Sequence, residues 1–372
     1  MPFRNLEVDG TACRTIDCAG TQYRKIMGST IRSREIMSLK FVRLAILFLL
    51  TILLFSTSAA ASSYQYFRIG EKADSTATPV AGTALMGGGK DLDEAFRWLC
   101  QKANGGDFLV LRARGDDDYN SYVNGMCKLN SVATLVIPDS AAAQDPATAD
   151  IIRHAEAVFI AGGNQARYVQ FWQGTPVEDA INANIASGKP IGGTSAGLAV
   201  LGEFAYGCLK DKEDDNDLAS TDVLPNPYHE RVTLVRDFLK VPNMENTLTD
   251  SHFAKRDRMG RTLGFLSRLV QDGWSKAPRE VAIDEKSAVL MESDGKSVVV
   301  GSGRGAYFLQ VKSAPEVCRP NTPLTVHNIA AYRAPKGAHF DFKSWTGEGG
   351  DGYSISVENG VIHTTRPDNS VY

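Results

Sequence analysis

The 372-residue chain lacks the marks of several protein classes. Lys and Arg number 40 against 43 Asp and Glu, with no basic stripe, which excludes a nucleic-acid or polyanion binder. Only six cysteines occur, and none falls in a metal-ligand spacing, so no metal centre is expected. Gly87-Gly88-Gly89-Lys90-Asp91 has neither the Walker spacing nor a Ser or Thr after the lysine, and nothing else calls for a cofactor. No repeat or low-complexity tract appears. The apolar run Leu44 to Phe55 is shorter than the roughly 20 residues a membrane span needs, so no stable anchor is expected.

What is present begins with that run. Lys40 and Arg43 precede it, and Ser56 to Ala61 follows with small residues ending in Ala59-Ala60-Ala61. This is the pattern of a secretory signal over 37–61, cleaved after Ala61, and it implies a secreted or periplasmic protein. Residues 1–36 lack apolar periodicity and read as a leader from a mis-assigned start. With Cys13 and Cys18 in that leader, Cys100, Cys127, Cys208 and Cys318 remain, which permits three pairings. Cys100 and Cys127 sit on helix-like apolar faces and fit buried thiols equally well.

From Val80 the text alternates strand and helix. Val80 to Met86, Phe108 to Ala113, Thr134 to Ile137 and Ala157 to Ile160 are apolar strands. Helices are expected after Asp91, around Tyr122 to Leu129, over Ala147 to His154, and over 166–187. Such alternation predicts an α/β fold, a doubly wound and mostly parallel sheet covered on both faces. An α/β domain over 75–310 and a β-rich C-terminal extension over 311–372 account for the rest. Within the domain, Ser293-Asp294-Gly295 marks a hairpin turn between closing strands.

Gly192-Gly193-Thr194-Ser195-Ala196-Gly197 stands between Pro190-Ile191 and Leu198-Ala199-Val200-Leu201, which reads as strand, tight turn, helix. A serine at the apex has its Oγ held out of the sheet, the arrangement of a nucleophile elbow. Ligands of such sheets bind at the C-terminal strand ends, where Gly87 to Gly89, Arg114 to Asp118 and Gly162 to Gln165 also collect. The N–H groups of Gly163 and Ala196 are candidate oxyanion donors. Among six histidines, His252 stands out, because Asp250-Ser251-His252-Phe253-Ala254-Lys255-Arg256-Asp257-Arg258-Met259-Gly260-Arg261 presents it at the head of a basic segment. If that segment is helical, Arg256 shares the face of His252, while Arg258 and Arg261 share another.

Gly-Gly-Asn-Gln before the elbow, Gly-Gly-Thr-Ser-Ala-Gly at it and Asp-x-His-Phe-x-x-Arg-x-Arg-x-Gly-Arg after it, in that order, resemble the cyanophycinase family of serine peptidases, relatives of peptidase E. The resemblance covers roughly residues 80 to 310. It implies a flavodoxin-like, class I glutamine-amidotransferase-like fold and cleavage of aspartyl peptides, in cyanophycinases a β-aspartyl-arginine unit. Ser195 then matches the nucleophile and His252 the base. Gln165, Asp250, Arg256, Arg258 and Arg261 match substrate contacts, and arginine forks suit the carboxylates of an acidic peptide or polymer.

The family's acid, some 15 to 20 residues after the serine, falls on Glu213 or Asp211, with Glu203 and Glu230 as substitutes. Asp116 to Asp118 could receive a basic side chain of the substrate. A peptidase E-like Asp-x dipeptidase and a non-catalytic acidic-peptide binder remain as alternatives, and a binder would keep the arginines without Ser195 and His252 in contact. An amidotransferase would carry cysteine at 195, and an esterase would leave the arginine set unexplained. Oligomeric state, a homodimer included, is open.

Overall fold

The structure, a computed structural model, describes residues 64–212 and 217–372, so the expected leader and signal lie outside the described residues. Eighteen strands occur among these residues. In chain order they are β1 (Gln65–Gly70), β2 (Gly82–Met86), β3 (Asp107–Arg112), β4 (Ser131–Val136), β5 (Ala157–Ile160), β6 (Ile191–Thr194), β7 (Phe204–Tyr206), β8 (Leu234–Arg236) and β9 (Thr247–Asp250). The remaining nine are β10 (Arg279–Ile283), β11 (Ser287–Glu292), β12 (Lys296–Gly301), β13 (Ala306–Gln310), β14 (Val326–Ala334), β15 (His339–Asp341), β16 (Thr346–Glu348), β17 (Asp351–Glu358) and β18 (Val361–Thr364).

They form a ten-stranded sheet, ordered β1-β4-β3-β5-β6-β2-β11-β12-β15-β16, and an eight-stranded sheet, ordered β18-β17-β14-β13-β10-β9-β7-β8. The middle of the first sheet, β4-β3-β5-β6-β2, is parallel. Its flanks are antiparallel, as is most of the second sheet, in which β10-β9 and β9-β7 alone are parallel. The physical reason lies in the connections. Parallel neighbours need a long crossover, which the helices supply up to β6, whereas Ser293-Asp294-Gly295 joins β11 to β12 as an antiparallel hairpin.

Pattern and caps explain the helices of the parallel region. Asp145 accepts from Ala147 N–H ahead of helix Pro146–His154, and Thr175 accepts from Val177 N–H ahead of helix Pro176–Ala186, each with proline in the first turn. Strand residues alternate between faces. Leu85, Leu109, Leu111, Val158 and Ile160 pack with Ile152, Trp172 and Ile181, while Ala84, Met86, Phe108, Val110 and Phe159 pack with Phe96, Leu99 and Val123. Helices therefore cover both faces of the parallel strands.

The second sheet closes onto the first on one side and onto helix Met259–Gln271 on the other. Val281, Ile283 and Phe308 share a core with Val289, Met291 and Val299, whereas Leu248, Ala282, Tyr307 and Leu309 pack with Leu263, Phe265 and Leu266. Residues 326–364 add strands to both sheets, β14 beside β13 and β15 beside β12.

Two local readings are corrected, and one left open is decided. The residues after the elbow make one short 3-10 turn, Leu198–Val200, instead of a helix, because Phe204 already begins β7. His252 to Arg258 is a series of turns, since His252 and Asp257 hold left-handed φ values of 46° and 48°; the helix starts only at Met259. Cys100 and Cys127 form a disulfide tying helix Asp93–Ala103 to the end of helix Asp118–Met126, and Cys208 and Cys318 form no disulfide among the described residues.

Candidate active site

Ser195 caps the C-terminal end of β6 with φ +53°, a strained left-handed conformation for a residue with a β-carbon. Its surroundings enforce that angle. Ser195 N–H donates to the Met86 carbonyl on the neighbouring strand at 3.1 Å, and Gly197 N–H closes the turn on the Thr194 carbonyl at 2.8 Å. A β-carbon at Gly197 would lie 2.0 Å from the Ile160 carbonyl oxygen, so this elbow tolerates only glycine there. Beneath it, the Asp91 carboxylate accepts from Thr194 Oγ1 at 2.7 Å and from the Tyr119 hydroxyl at 2.6 Å.

His252 arrives from the end of β9. Its N–H donates to the Gly87 carbonyl at 2.8 Å, which pins the histidine turn to the glycine loop after β2. The imidazole Nε2 lies 2.7 Å from Ser195 Oγ, and Nδ1 lies 2.7 Å from Oε1 of Glu285. A carboxylate only accepts, so Nδ1 carries the proton and Nε2 presents its lone pair to the serine hydroxyl. Ser195, His252 and Glu285 thus form a hydrogen-bonded relay.

Burial is the main influence that lowers the His252 pKa; Glu285 pulls it up, and the charges of Arg256 and Arg258 push it down again. Glu285 is held below the usual carboxylate range, first by its hydrogen bond to His252. Both shifts favour the working pair, a neutral imidazole beside an ionised carboxylate.

Glu285 was not among the acids expected from sequence. Glu213 lies outside the described residues. Asp211 accepts from Arg231 Nε at 2.9 Å and from the Tyr206 hydroxyl, and the Glu203 carboxylate accepts from Asn246 N–H. Glu230 makes no contact with the histidine among the described residues. The missed signal is topological. β10 runs parallel to β9, so the turn Asp284-Glu285-Lys286 after Val281-Ala282-Ile283 sits at the same sheet edge as His252.

Ala196 N–H and Gly163 N–H donate to no other group among the described residues, and the Gly162 position flanks Ser195, a β-carbon there falling 3.5 Å from Ser195 Cβ. The buried Tyr168 hydroxyl fixes this loop through the carbonyls of Ala161, at 2.8 Å, and Gly162, at 3.1 Å. Two unengaged N–H groups beside a nucleophile can receive a developing oxyanion.

The charged set divides in two. Asp250, Arg258 and Arg261, expected as substrate contacts, form a buried ion-pair framework. Arg261, 1 % exposed, places Nε 2.8 Å and Nη2 2.6 Å from the Asp250 carboxylate, and Arg258 bridges Asp250 to Asp217. Burial works to raise the Asp250 pKa, but the two guanidinium groups outweigh it and hold the carboxyl below its usual range. A guanidinium chelated in the core cannot also clasp a substrate.

Arg256 differs. Its side chain is exposed and makes no hydrogen bond or ion pair among the described residues, while its backbone N–H donates to the His252 carbonyl at 3.0 Å. With Gln165, Arg112, Asp211 and Asp217 it lines a cleft of about 570 Å³ beside Gly162-Gly163. Gln165 is steadied there by a bond from Nε2 to the Tyr206 carbonyl at 3.4 Å. No group of His, Cys, Asp and Glu among the described residues has the arrangement of a metal site.

Several known proteins are similar to this chain. Residues 89–221, which include the elbow, match the model of Peptidase family S51. The chain is 28% identical over 192 residues to a cyanophycinase of Trichormus variabilis, covering 49% of this chain and 56% of that protein. It is 27% identical over 213 residues to a cyanophycinase of Synechococcus elongatus, covering 55% and 60%. The chain thus spans little more than half the length of these curated relatives. A putative peptidase E protein from Listeria monocytogenes superposes with a TM-score of 0.39 at 15% identity, covering 60% of this chain and 99% of that one. The α/β fold and the family match over residues 89–221 make the chain similar to peptidases. Among them the similarity is to cyanophycinases.

Proposed function

We propose that this chain is an exported serine-type peptidase that cleaves aspartyl peptides, β-aspartyl ones foremost, through an acyl-enzyme on Ser195. The observation that carries the reading is the unbroken line from Ser195 Oγ through both imidazole nitrogens to Glu285, with 2.7 Å at each step. A binding protein has no use for that contact.

In the first step Nε2 of His252 takes the hydroxyl proton as Oγ attacks the scissile carbonyl carbon. The carbonyl π-electrons move to oxygen, and that oxyanion is received by the N–H groups of Gly163 and Ala196. As the tetrahedral species collapses, His252 returns the proton to the leaving amine. Water then attacks the ester with the same base, releasing the aspartyl acid and the free serine. Glu285 stays ionised and stabilises the imidazolium of each intermediate.

Arg256 supports an acidic substrate, as an exposed guanidinium that makes no ion pair among the described residues can take a carboxylate bidentately from the ligand. Cyanophycin and β-Asp-Arg are the substrates we favour within this class. The parallel strands with the elbow at their C-terminal edge fit the flavodoxin-like, class I glutamine-amidotransferase-like layout. The Cys100–Cys127 disulfide supports export, because such bonds persist in oxidising compartments.

Hydrolysis of cyanophycin, β-Asp-Arg, β-Asp-Leu, α-Asp-Leu and a p-nitrophenyl ester tests the proposal. Release of β-Asp-Arg from the polymer is the expected result. Turnover of the α-aspartyl dipeptide alone would move the enzyme toward peptidase E, and ester turnover alone would contradict the proposal.

A further inference from the structure

Tyr372 lies far from Ser195 in sequence and packs directly behind the segment that carries His252. Its hydroxyl accepts from Met259 N–H at 2.8 Å and donates to Asp257 Oδ1 at 2.9 Å. Its ring meets Phe253, the residue after His252, edge-on at 5.7 Å, and meets Tyr307 edge-on at 5.9 Å. Phe253 is wholly buried.

These contacts fall where the histidine segment has the least support of its own. His252 to Arg258 is neither helix nor strand. Its two left-handed residues, His252 and Asp257, are strained and persist only where the surroundings over-determine them. The helix that follows has no side-chain cap from its N-cap residue Arg258, so its first N–H groups need partners from elsewhere. Ser220 Oγ supplies one to Gly260 N–H at 2.8 Å, and Tyr372 supplies the other to Met259. Tyr372 is itself moored, since the Tyr353 hydroxyl donates to the Val371 carbonyl at 2.9 Å and Thr364 Oγ1 to the Ser370 carbonyl at 3.2 Å.

We propose that Tyr372 is a positioning residue for His252, a strut from the far C-terminal segment that holds the catalytic turn against Ser195 and Glu285. The assignment rests on the peptidase reading above. It acts through Phe253 by packing and through Asp257 and Met259 by hydrogen bonding. Without the ring, the turn loosens and water reaches the imidazole. The charged and titratable groups that face His252 are Glu285 from the turn after β10 and Arg256 and Arg258 from its own segment, and none of them is altered by a change at Tyr372.

The test compares Tyr372→Ala and Tyr372→Phe with the parent by NMR titration of the His252 ring, alongside steady-state kinetics on β-Asp-Arg. For Tyr372→Ala the expected result is a His252 pKa moved up toward 6.5, the ordinary value, with kcat lower by roughly tenfold and KM nearly unchanged. Tyr372→Phe keeps the ring and should shift both readouts in the same direction by less. A melting temperature that falls while the His252 titration and kcat stay at parental values in both variants would reduce Tyr372 to a structural role and overturn the assignment. If the alanine variant does not fold, the phenylalanine variant decides by the same two readouts. If the parent shows no Ser195-dependent turnover, the peptidase reading fails separately, and the titration alone decides the strut.

Discussion

Glu285 reaches the Nδ1 of His252 at 2.7 Å from a turn 33 residues further along the chain, and no other described carboxylate touches that ring. The pair fixes the tautomer that the serine needs. Glu285→Gln presents an amide that can turn its NH₂ toward Nδ1 and invert the donor order. The expected outcome is a loss of about 10²- to 10⁴-fold in kcat with the fold retained, read by steady-state kinetics and circular dichroism. Asp211→Asn, at a carboxylate occupied by Arg231 in the cleft wall, costs far less in kcat. The reverse ranking would move the acid back to the loop after β7.

The acid side of the pH profile follows from burial of His252. Its folded pKa lies below 6.5, so the neutral base survives into more acidic solution than a free histidine would allow. The kcat/KM of the free enzyme therefore falls with decreasing pH at a midpoint below the ordinary histidine value. The linkage has the same sign for stability. The unfolded chain binds the proton first, so the contribution of His252 is whole above 6.5 and is lost as pH falls through the folded pKa. A midpoint at pH 7 or higher would contradict this.

Gly88, at φ +90°, has no side chain where one would strike the relay. A β-carbon there would lie 2.6 Å from both Cε1 and Nε2 of His252 and 3.1 Å from Ser195 Cβ. Gly88→Ala should therefore displace the imidazole, with kcat/KM falling about 100-fold or more for a shift near 1 Å. The His252 ring resonances by NMR should move with it. Full activity in a folded Gly88→Ala protein would show that the ring has room the structure does not give it.

Two arginines of one motif should respond in opposite ways. Arg256→Gln leaves stability near the parental value and raises KM for aspartyl peptides roughly 10- to 100-fold, the scale of a hydrogen bond to a charged group. It also raises the pKa of the acid limb, because the Arg256 charge disfavours protonated His252. Arg261→Met strands Asp250 in the core and should cost about 3–5 kcal/mol in urea denaturation, the scale of a broken buried pair. Equal KM effects from both would return Arg261 to the cleft.

These residues show what the sequence can and cannot convey. Ser195 and His252 were legible because each sits in a local pattern, a glycine-framed turn after an apolar strand and a histidine heading a basic segment. The strand-helix alternation up to β6 was legible for the same reason, as was the hairpin at Ser293-Asp294-Gly295. Glu285 was not, because it belongs to the site only through the parallel pairing of β9 and β10, a contact between distant stretches. Arg256, Arg258 and Arg261 look alike in the text. Only packing reveals that two of them turn inward onto Asp250 while one faces the cleft. The second sheet was hidden likewise, since hairpin strands from β10 onward do not announce which sheet each will join.

The claim at the centre is that Ser195 is the nucleophile. The most direct measurement is hydrolysis of β-Asp-Arg by the parent protein and by Ser195→Ala, with intact-mass spectrometry of the parent quenched during turnover. An aspartyl adduct on the parent and a loss of about 10⁴-fold or more in the folded variant are expected. A folded Ser195→Ala protein that cleaves the peptide at the parental rate would contradict that claim.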